Sequence, residues 1–239
     1  MPKEFGFEDE IARASRECGL LERRAEDRVR PYAELDKPFR RADRPGGAET
    51  RSPETVREYK IDACADIAAA RFGPETIAAW KDLDVRERVA RFEAFRSDLA
   101  RELGIRDEGI LWFESSESHG VYGFVRAGSG AVFLNRVLVE DANRLLDGVN
   151  TIAHESRHGF QAACMDGNIA LLRGVDAADK TEALIAWWDA RALYPDILDG
   201  APTAGRYDPW GYACNALELD ARHFADSVVL RIPRDPGIG

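Results

Sequence analysis

Two histidines and a glutamate in the middle of the chain have the residue types and the spacing of a metal site. Residues 151–161 contain His154, Glu155 and His158 in the pattern H-E-x-x-H. Residues four apart on a helix lie one turn above each other, so the two imidazoles point the same way and can bind one zinc ion. Glu155 is rotated by about 100° from His154, which directs its carboxylate to a zinc-bound water as a general base.

The hydrophobic pattern around this motif predicts the helix that the motif requires. Apolar side chains recur at helical spacing along one face, and polar side chains occupy the other. The apolar face comprises Leu145, Val149, Ile152 and Ala163, and the polar face comprises Asn150, Thr151, His154, His158 and Gln161. A solvated polar face with idle histidines is the alternative. Because the chain has only four histidines in 239 residues, a chance match is rare and zinc is the favoured cofactor.

The composition is that of a globular protein with its own hydrophobic core. Of the 239 residues, 45% are hydrophobic and 32% are charged, and the net charge is −10. The negative charge argues against nucleic acid as a partner, and no apolar run has the length of a membrane span. Because residues 1–30 lack the apolar core of a signal peptide, we expect a cytoplasmic protein, or one secreted without a cleaved signal peptide. The four scattered cysteines are expected to be reduced.

Proline and glycine divide the chain into two regions. Residues 1–53 are predicted to form an N-terminal helix and a flexible arm, since prolines and glycines are concentrated in the second half of this region. Residues 54–239 are predicted to form one domain. Its first part is helical, because apolar residues recur at helical spacing between proline and glycine boundaries. These helices are predicted at 54–71, 74–80 and 84–103.

The central part of the domain changes from helices to strands. Short apolar or alternating runs predict strands at residues 109–113, 120–125 and 131–135. Helices are predicted after the strands, and the first of them carries the H-E-x-x-H motif. They span residues 139–164, 181–193 and 215–230. The sequence therefore predicts an α+β fold.

The last predicted helix carries an acidic segment that extends the metal site. From Glu218 it reads E-L-D-A-R-H-F-A, which resembles the E-x-x-A-N-x-F-A segment of the ImmA/IrrE-like gluzincins, with Arg222 in place of the usual Asn. With H-E-x-x-H and the order of strands and helices, the chain resembles a zincin metallopeptidase of that family or a divergent bacterial effector or toxin peptidase. The resemblance implies a zincin-like fold with a small mixed or antiparallel sheet, an active-site helix and an N-terminal helical region. It also implies His154, His158 and Glu218 as the zinc ligands.

The motif and the resemblance together predict a zinc-dependent endopeptidase that acts on a protein or peptide substrate. Glu155 would take a proton from the zinc-activated water and return it to the leaving amine. The alternative is a zincin-fold metal-binding module with a regulatory or interaction role and no proteolysis. A third possibility is a helical interaction protein without metal. Glu155 favours the peptidase, because metal binding alone does not need that carboxylate.

Two further expectations concern the substrate. Tyr207, Tyr212 and His223 lie near Glu218 in sequence and are candidate donors to the oxyanion that develops during peptide hydrolysis. The strand at residues 131–135 directly precedes the metal helix. We therefore expect an extended substrate to bind along it as an added strand.

Glu218 has a near neighbour, Asp220, that competes with it for the role of third ligand. The two acids are separated by about 200° around a helix, so both cannot face one metal ion. Replacement of Asp220 by alanine is therefore expected to spare zinc binding. The alternative for Glu218 itself is an exposed ion pair with Arg222, one turn later on the same helix.

Overall fold

The computed structural model describes residues 52–114, 122–125, 130–192 and 215–233. These residues are mostly helical and include one small mixed sheet, which confirms the α+β class. The predicted N-terminal helix and arm at residues 1–53 lie almost entirely outside the described part of the chain.

In the part of the chain that the structure describes, four α-helices precede the sheet. They are α1 at Glu54–Arg57, α2 at Ile61–Arg71, α3 at Pro74–Ala79 and α4 at Val85–Leu103. The predicted single helix over residues 54–71 is wrong, because Lys60 adopts a left-handed conformation with φ 64° and ψ 10° between α1 and α2. A left-handed residue cannot continue a right-handed helix. The Lys60 ammonium bonds to the backbone carbonyl of Glu102, and this tertiary contact favours the break.

The boundaries of α4 agree with the sequence prediction for reasons that are local. Asp84 precedes the helix and forms a capping box with Glu87, in which each side chain accepts a hydrogen bond from the other residue's backbone N–H at 2.9 Å. Gly104 ends the helix with φ 73°, a left-handed conformation that glycine adopts without strain.

The sheet has three strands, β1 at Ile110–Phe113, β2 at Gly123–Val125 and β3 at Val132–Asn135. Their order is β1-β3-β2, with β3 parallel to β1 and antiparallel to β2. All four residues of β3 are buried. The expectation that substrate binds along residues 131–135 is therefore wrong. Strand β3 lies between β1 and β2 and pairs with both, so a substrate strand cannot be added beside it.

Four further α-helices follow the sheet within residues 130–192 and 215–233. They are α5 at Val137–Glu140, α6 at Leu145–Met165, α7 at Ala177–Ala192 and α8 at Ala216–Leu230. The predicted single helix over residues 139–164 is wrong at its start, because Asp141 is extended and its side chain accepts a hydrogen bond from the Asn143 backbone at 2.9 Å. A short 3-10 helix at Ala142–Arg144 then leads into α6, which carries the H-E-x-x-H motif.

Helix α6 is the centre of the hydrophobic core and packs most extensively against α8. Phe160 of α6 and Phe224 of α8 are fully buried, and burial of each such ring stabilises the fold by roughly 1.5–3 kcal/mol. Against α4 the approach is close, since a Cβ added at Gly148 would lie 2.5 Å from the ring of Phe92. The core thus holds α6 on several sides. Within the described residues, no helix is long and apolar enough to span a membrane.

Candidate metal centre

Helices α6 and α8 bring the three predicted zinc ligands together. The Nε2 atoms of His154 and His158 lie 3.0 Å apart. Glu218, in the first turn of α8, places one carboxylate oxygen 3.3 Å from His154 Nε2 and the other 3.1 Å from His158 Nε2. Asn215 caps the start of α8 by accepting a hydrogen bond from the Leu217 backbone at 2.9 Å, which fixes this turn.

The spacing of these atoms fits a tetrahedral metal ion. Bonds of roughly 2.0–2.1 Å at tetrahedral angles place neighbouring ligand atoms about 3.3 Å apart around zinc. The three contacts, at 3.0 to 3.3 Å, need only a small expansion to reach that geometry. The side chains are nearly enclosed, with exposed fractions of 14% for His154, 13% for His158 and 6% for Glu218. The chemistry of two imidazoles and one carboxylate also suits zinc.

The charges of the cluster favour a cation between its members. Burial alone would lower the pKa of His158, but the Glu218 carboxylate, together with Glu155 and Gln161, outweighs burial and raises that pKa to about 9. Burial alone would raise the pKa of Glu218, but the two histidines hold it far below its ordinary value. Glu218 therefore remains ionised at neutral pH. It attracts positive charge to His158, either as a proton on the imidazole or as a bound metal ion.

Glu155 lies beside the cluster without belonging to it. Burial raises the pKa of its carboxyl group, while His154, His158 and a hydrogen bond from the Val125 backbone act in the opposite direction. The side chain is almost fully enclosed, because the residue is only 7% exposed. A carboxylate with a raised pKa, next to a candidate metal site, has the properties of a general base.

Asp220 faces away from the cluster, as its rotation on α8 predicts. Its two carboxylate oxygens accept hydrogen bonds from Nε and Nη2 of Arg157, both at 2.9 Å. Glu218, by contrast, contacts both imidazoles. The alternative of an exposed ion pair for Glu218 is wrong, because its side chain is buried.

His223 is not brought to the cluster. Its Nε2 lies 2.6 Å from Oε1 of Glu58, just after α1, and it is about 140° around α8 from Glu218. The structure therefore gives no support to His223 as a donor to the oxyanion. The other two candidates, Tyr207 and Tyr212, lie outside the described residues.

Two residues contribute to the site in ways that the sequence interpretation missed. Gln161, assigned to a polar face of α6, is fully buried, and its Oε1 lies 2.8 Å from Nδ1 of His158. Arg157, which lies inside the motif itself, is fully buried and forms a salt bridge with Asp220. The available signal for Gln161 was its position, three residues after a candidate ligand on the same helix.

A small, mostly apolar cavity adjoins the cluster. His158 and Gln161 form one wall, and Val125, Leu217 and Arg191 are among its other lining residues. The cavity thus lies between the end of β2 and the start of α8, beside the second histidine of the motif. An extended ligand that lay along β2 would reach it.

Comparisons of the chain with protein-family models, with curated proteins and with solved structures give no match. A functional assignment therefore depends on the residues and geometry of the site itself.

Proposed function

We propose that this protein is a zinc-dependent endopeptidase with a zincin-like site. The observation that carries the proposal is the convergence of His154, His158 and Glu218 on one point, with Glu155 beside them. Two histidines one turn apart and an acid from another helix would supply three protein ligands, one fewer than a structural zinc site has. An open position is what distinguishes a catalytic zinc site from a structural one.

The roles of the protein groups follow from their positions. His154, His158 and Glu218 would hold zinc, which would supply Lewis acidity and lower the pKa of the attacking water. Glu155 accepts the proton of that water and returns it to the amine that leaves. The Val125 N–H orients the Glu155 carboxyl group, and burial keeps that group basic enough to accept the proton.

Strand β2, and not β3, is the proposed docking edge for a peptide. Among the described strands β2 pairs on one side only, with β3. The Asn135 N–H donates to the Tyr122 carbonyl at 2.8 Å, so the alternation of an antiparallel pair directs the backbone groups of Gly123 and Val125 away from β3. The Val125 N–H is already bonded to Glu155, so a peptide added beside β2 would pair with the other outward backbone groups of Gly123 and Val125 and would pass Glu155.

The first experiment measures zinc in the full-length protein purified without added metal, by inductively coupled plasma mass spectrometry. We expect one zinc per chain in the wild type and in Glu155→Gln. A protein that contains no zinc after this purification, and binds none when zinc is then supplied at micromolar concentration, would contradict the peptidase proposal and favour an interaction protein.

The second experiment tests proteolysis. New protein N-termini are compared after a proteome is incubated with wild type, with Glu155→Gln, or with Glu58→Gln as a matched exchange at a surface glutamate. We expect cleavage by wild type and Glu58→Gln and none by Glu155→Gln. Zinc binding with equal, background-level cleavage by all three would favour a metal-binding regulatory module.

A further inference from the structure

A buried polar chain runs from the second histidine of the motif to the N-terminal helices. We propose that Gln161, Asp220 and Arg157 are positioning residues, which hold the His158 imidazole with its Nε2 lone pair aimed at the metal. The inference rests on the proposed metal site. It adds an orienting device that the H-E-x-x-H motif does not contain.

The contacts of Gln161 define which way its amide group points. Its Nε2 lies 3.0 Å from the Leu217 carbonyl and 2.6 Å from Oδ2 of Asp220. Both of these atoms only accept hydrogen bonds, so the amide nitrogen must face them and use both of its hydrogens. Oε1 is thereby turned to His158 at 2.8 Å.

That orientation decides the tautomer of His158. An amide oxygen only accepts, so Nδ1 of His158 must carry the hydrogen. In the neutral imidazole the lone pair then belongs to Nε2, which is the atom that lies 3.1 Å from Glu218 and 3.0 Å from His154 Nε2. A hydrogen bond to the outer nitrogen of a metal-binding histidine fixes both the tautomer and the ring orientation.

Asp220 and Arg157 make the Gln161 position rigid. Asp220 is 1% exposed and Arg157 is fully buried, and two hydrogen bonds of 2.9 Å join them in parallel. Two of the three remaining guanidinium hydrogens reach the carbonyls of Val56 at 2.6 Å and Tyr59 at 3.2 Å, so each nitrogen of the guanidinium has a partner. Separation of this pair would leave uncompensated charges in the interior, and this cost opposes any movement of Asp220 away from Arg157.

A neutral amide suits position 161 better than the carboxylate that often orients a metal-binding histidine. A carboxylate here would meet Asp220 at hydrogen-bond distance and add a second negative charge to the same buried region. The amide accepts a hydrogen bond from His158 and donates one to Asp220. It therefore links the orientation of the imidazole to Asp220 without adding charge. Gln161 is also the single glutamine of the protein.

The hydrogen bonds that join Gln161, Asp220 and Arg157 change the effect that we expect when Asp220 is removed. Its rotation on α8 predicts that it does not contact the metal, and the structure agrees. Its removal should nevertheless weaken zinc binding, because Gln161 would lose one of the two acceptors that orient it. Arg157 also links the site to the segment that includes Val56 and Tyr59, because the carbonyls of both residues accept hydrogen bonds from it. Neither residue contacts the three ligands.

The test compares zinc affinity of full-length variants by competition with a chromophoric chelator. Gln161→Met keeps the length of the side chain and removes its hydrogen bonds, and we expect the zinc dissociation constant to rise about 10- to 100-fold. The matched control is Asn150→Leu. It removes another amide-to-carboxylate bond between α6 and α8, from Asn150 to Asp226 at 2.9 Å, which touches no histidine. We expect its zinc affinity to stay within about twofold of wild type.

A second control separates positioning from general destabilisation. Val149→Ala truncates a fully buried residue of α6 that takes no part in the hydrogen bonds of Gln161, Asp220 and Arg157. We expect this variant to lower the thermal midpoint but to spare zinc affinity. Equal losses of zinc affinity in Val149→Ala and Gln161→Met would overturn the proposal. So would a zinc affinity of Gln161→Met that matches wild type, and in that case the peptidase proposal would still stand.

A spectroscopic measurement on the wild type does not depend on any variant folding. With cadmium-113 in place of zinc and nitrogen-15 in the histidines, we expect metal–nitrogen coupling at Nε2 of His158 and a slowly exchanging proton on its Nδ1. Coupling through Nδ1 would overturn the positioning proposal alone. Failure of the wild type to bind either metal would overturn the proposed function and the positioning role together.

Discussion

Two sets of histidine–glutamate contacts among the described residues differ in distance, in the number of partners and in exposure. On the surface, His223 and Glu58 approach to 2.6 Å, with side chains 32% and 51% exposed. In the cluster, Glu218 lies 3.1 and 3.3 Å from two histidines, and all three side chains are at most 14% exposed. The shorter contact belongs to the surface pair. Distance alone therefore does not identify a metal site in this protein.

The cluster differs from the surface pair in two properties: three side chains approach one point, and they are enclosed by the protein. The surface pair consists of one donor and one acceptor that water can separate at little cost, and such pairs contribute about 0–1 kcal/mol. In the cluster a third group, the second imidazole, approaches the same carboxylate from one turn along α6. A cation at the centre of the cluster would be attracted by the carboxylate and bound by the two nitrogen atoms, which are enclosed with it at 3.0 to 3.3 Å.

The largest difference between the two regions should appear in turnover. Glu155→Gln removes the proton acceptor beside the cluster and keeps its shape, so kcat on a cleaved peptide should fall about 10²–10⁴-fold. The equivalent exchange at the surface, Glu58→Gln, should leave kcat unchanged. Steady-state kinetics with zinc content measured on the same samples checks this. A kcat of Glu155→Gln within a few fold of wild type would rule out Glu155 as the base.

The next difference should appear in zinc affinity. Glu218→Ala removes one of the three proposed ligands and should raise the zinc dissociation constant by more than the roughly 10- to 100-fold that loss of a ligand's hydrogen-bond partner costs. Glu58→Ala removes the partner of His223 and should leave that constant unchanged. Chelator competition measures both. Stoichiometric zinc at wild-type affinity in Glu218→Ala would show that the third ligand is elsewhere.

The pH dependence of zinc binding sharpens the comparison further. Without metal, the pKa of His158 is raised from 6.5 to about 9 by Glu218, so its imidazole carries a proton at neutral pH. Zinc must displace that proton, whereas Glu218 is already ionised because its pKa is lowered. Zinc affinity should therefore rise about tenfold per pH unit up to roughly pH 9 and then level off. An affinity that is constant between pH 7 and 9 would contradict the coupling of His158 to Glu218.

The smallest effect is expected at the surface pair itself. His223→Ala removes an exposed contact, so the free energy of unfolding should change by less than about 1 kcal/mol. Zinc affinity and turnover should not change. Chemical denaturation and the two activity measurements test this, and a loss of turnover would restore His223 as a candidate at the site.

What the sequence determined by itself is local. His154, Glu155 and His158 take their relative directions from helix periodicity, which depends on hydrogen bonds between residues four apart. The same holds for the capping box at Asp84 and the left-handed end of α4 at Gly104. These features need no knowledge of distant parts of the chain, so motif and pattern were sufficient to predict them.

Tertiary structure decided the features that depend on distant residues. Lys60 breaks a predicted helix while it contacts Glu102, and the position of β3 in the middle of the sheet follows from strands paired across separate segments. Gln161 and Asp220 look like ordinary polar residues of two helices. They become parts of the site only because α6 and α8 pack together and exclude water, and a buried polar group must then find its partner wherever the fold supplies one.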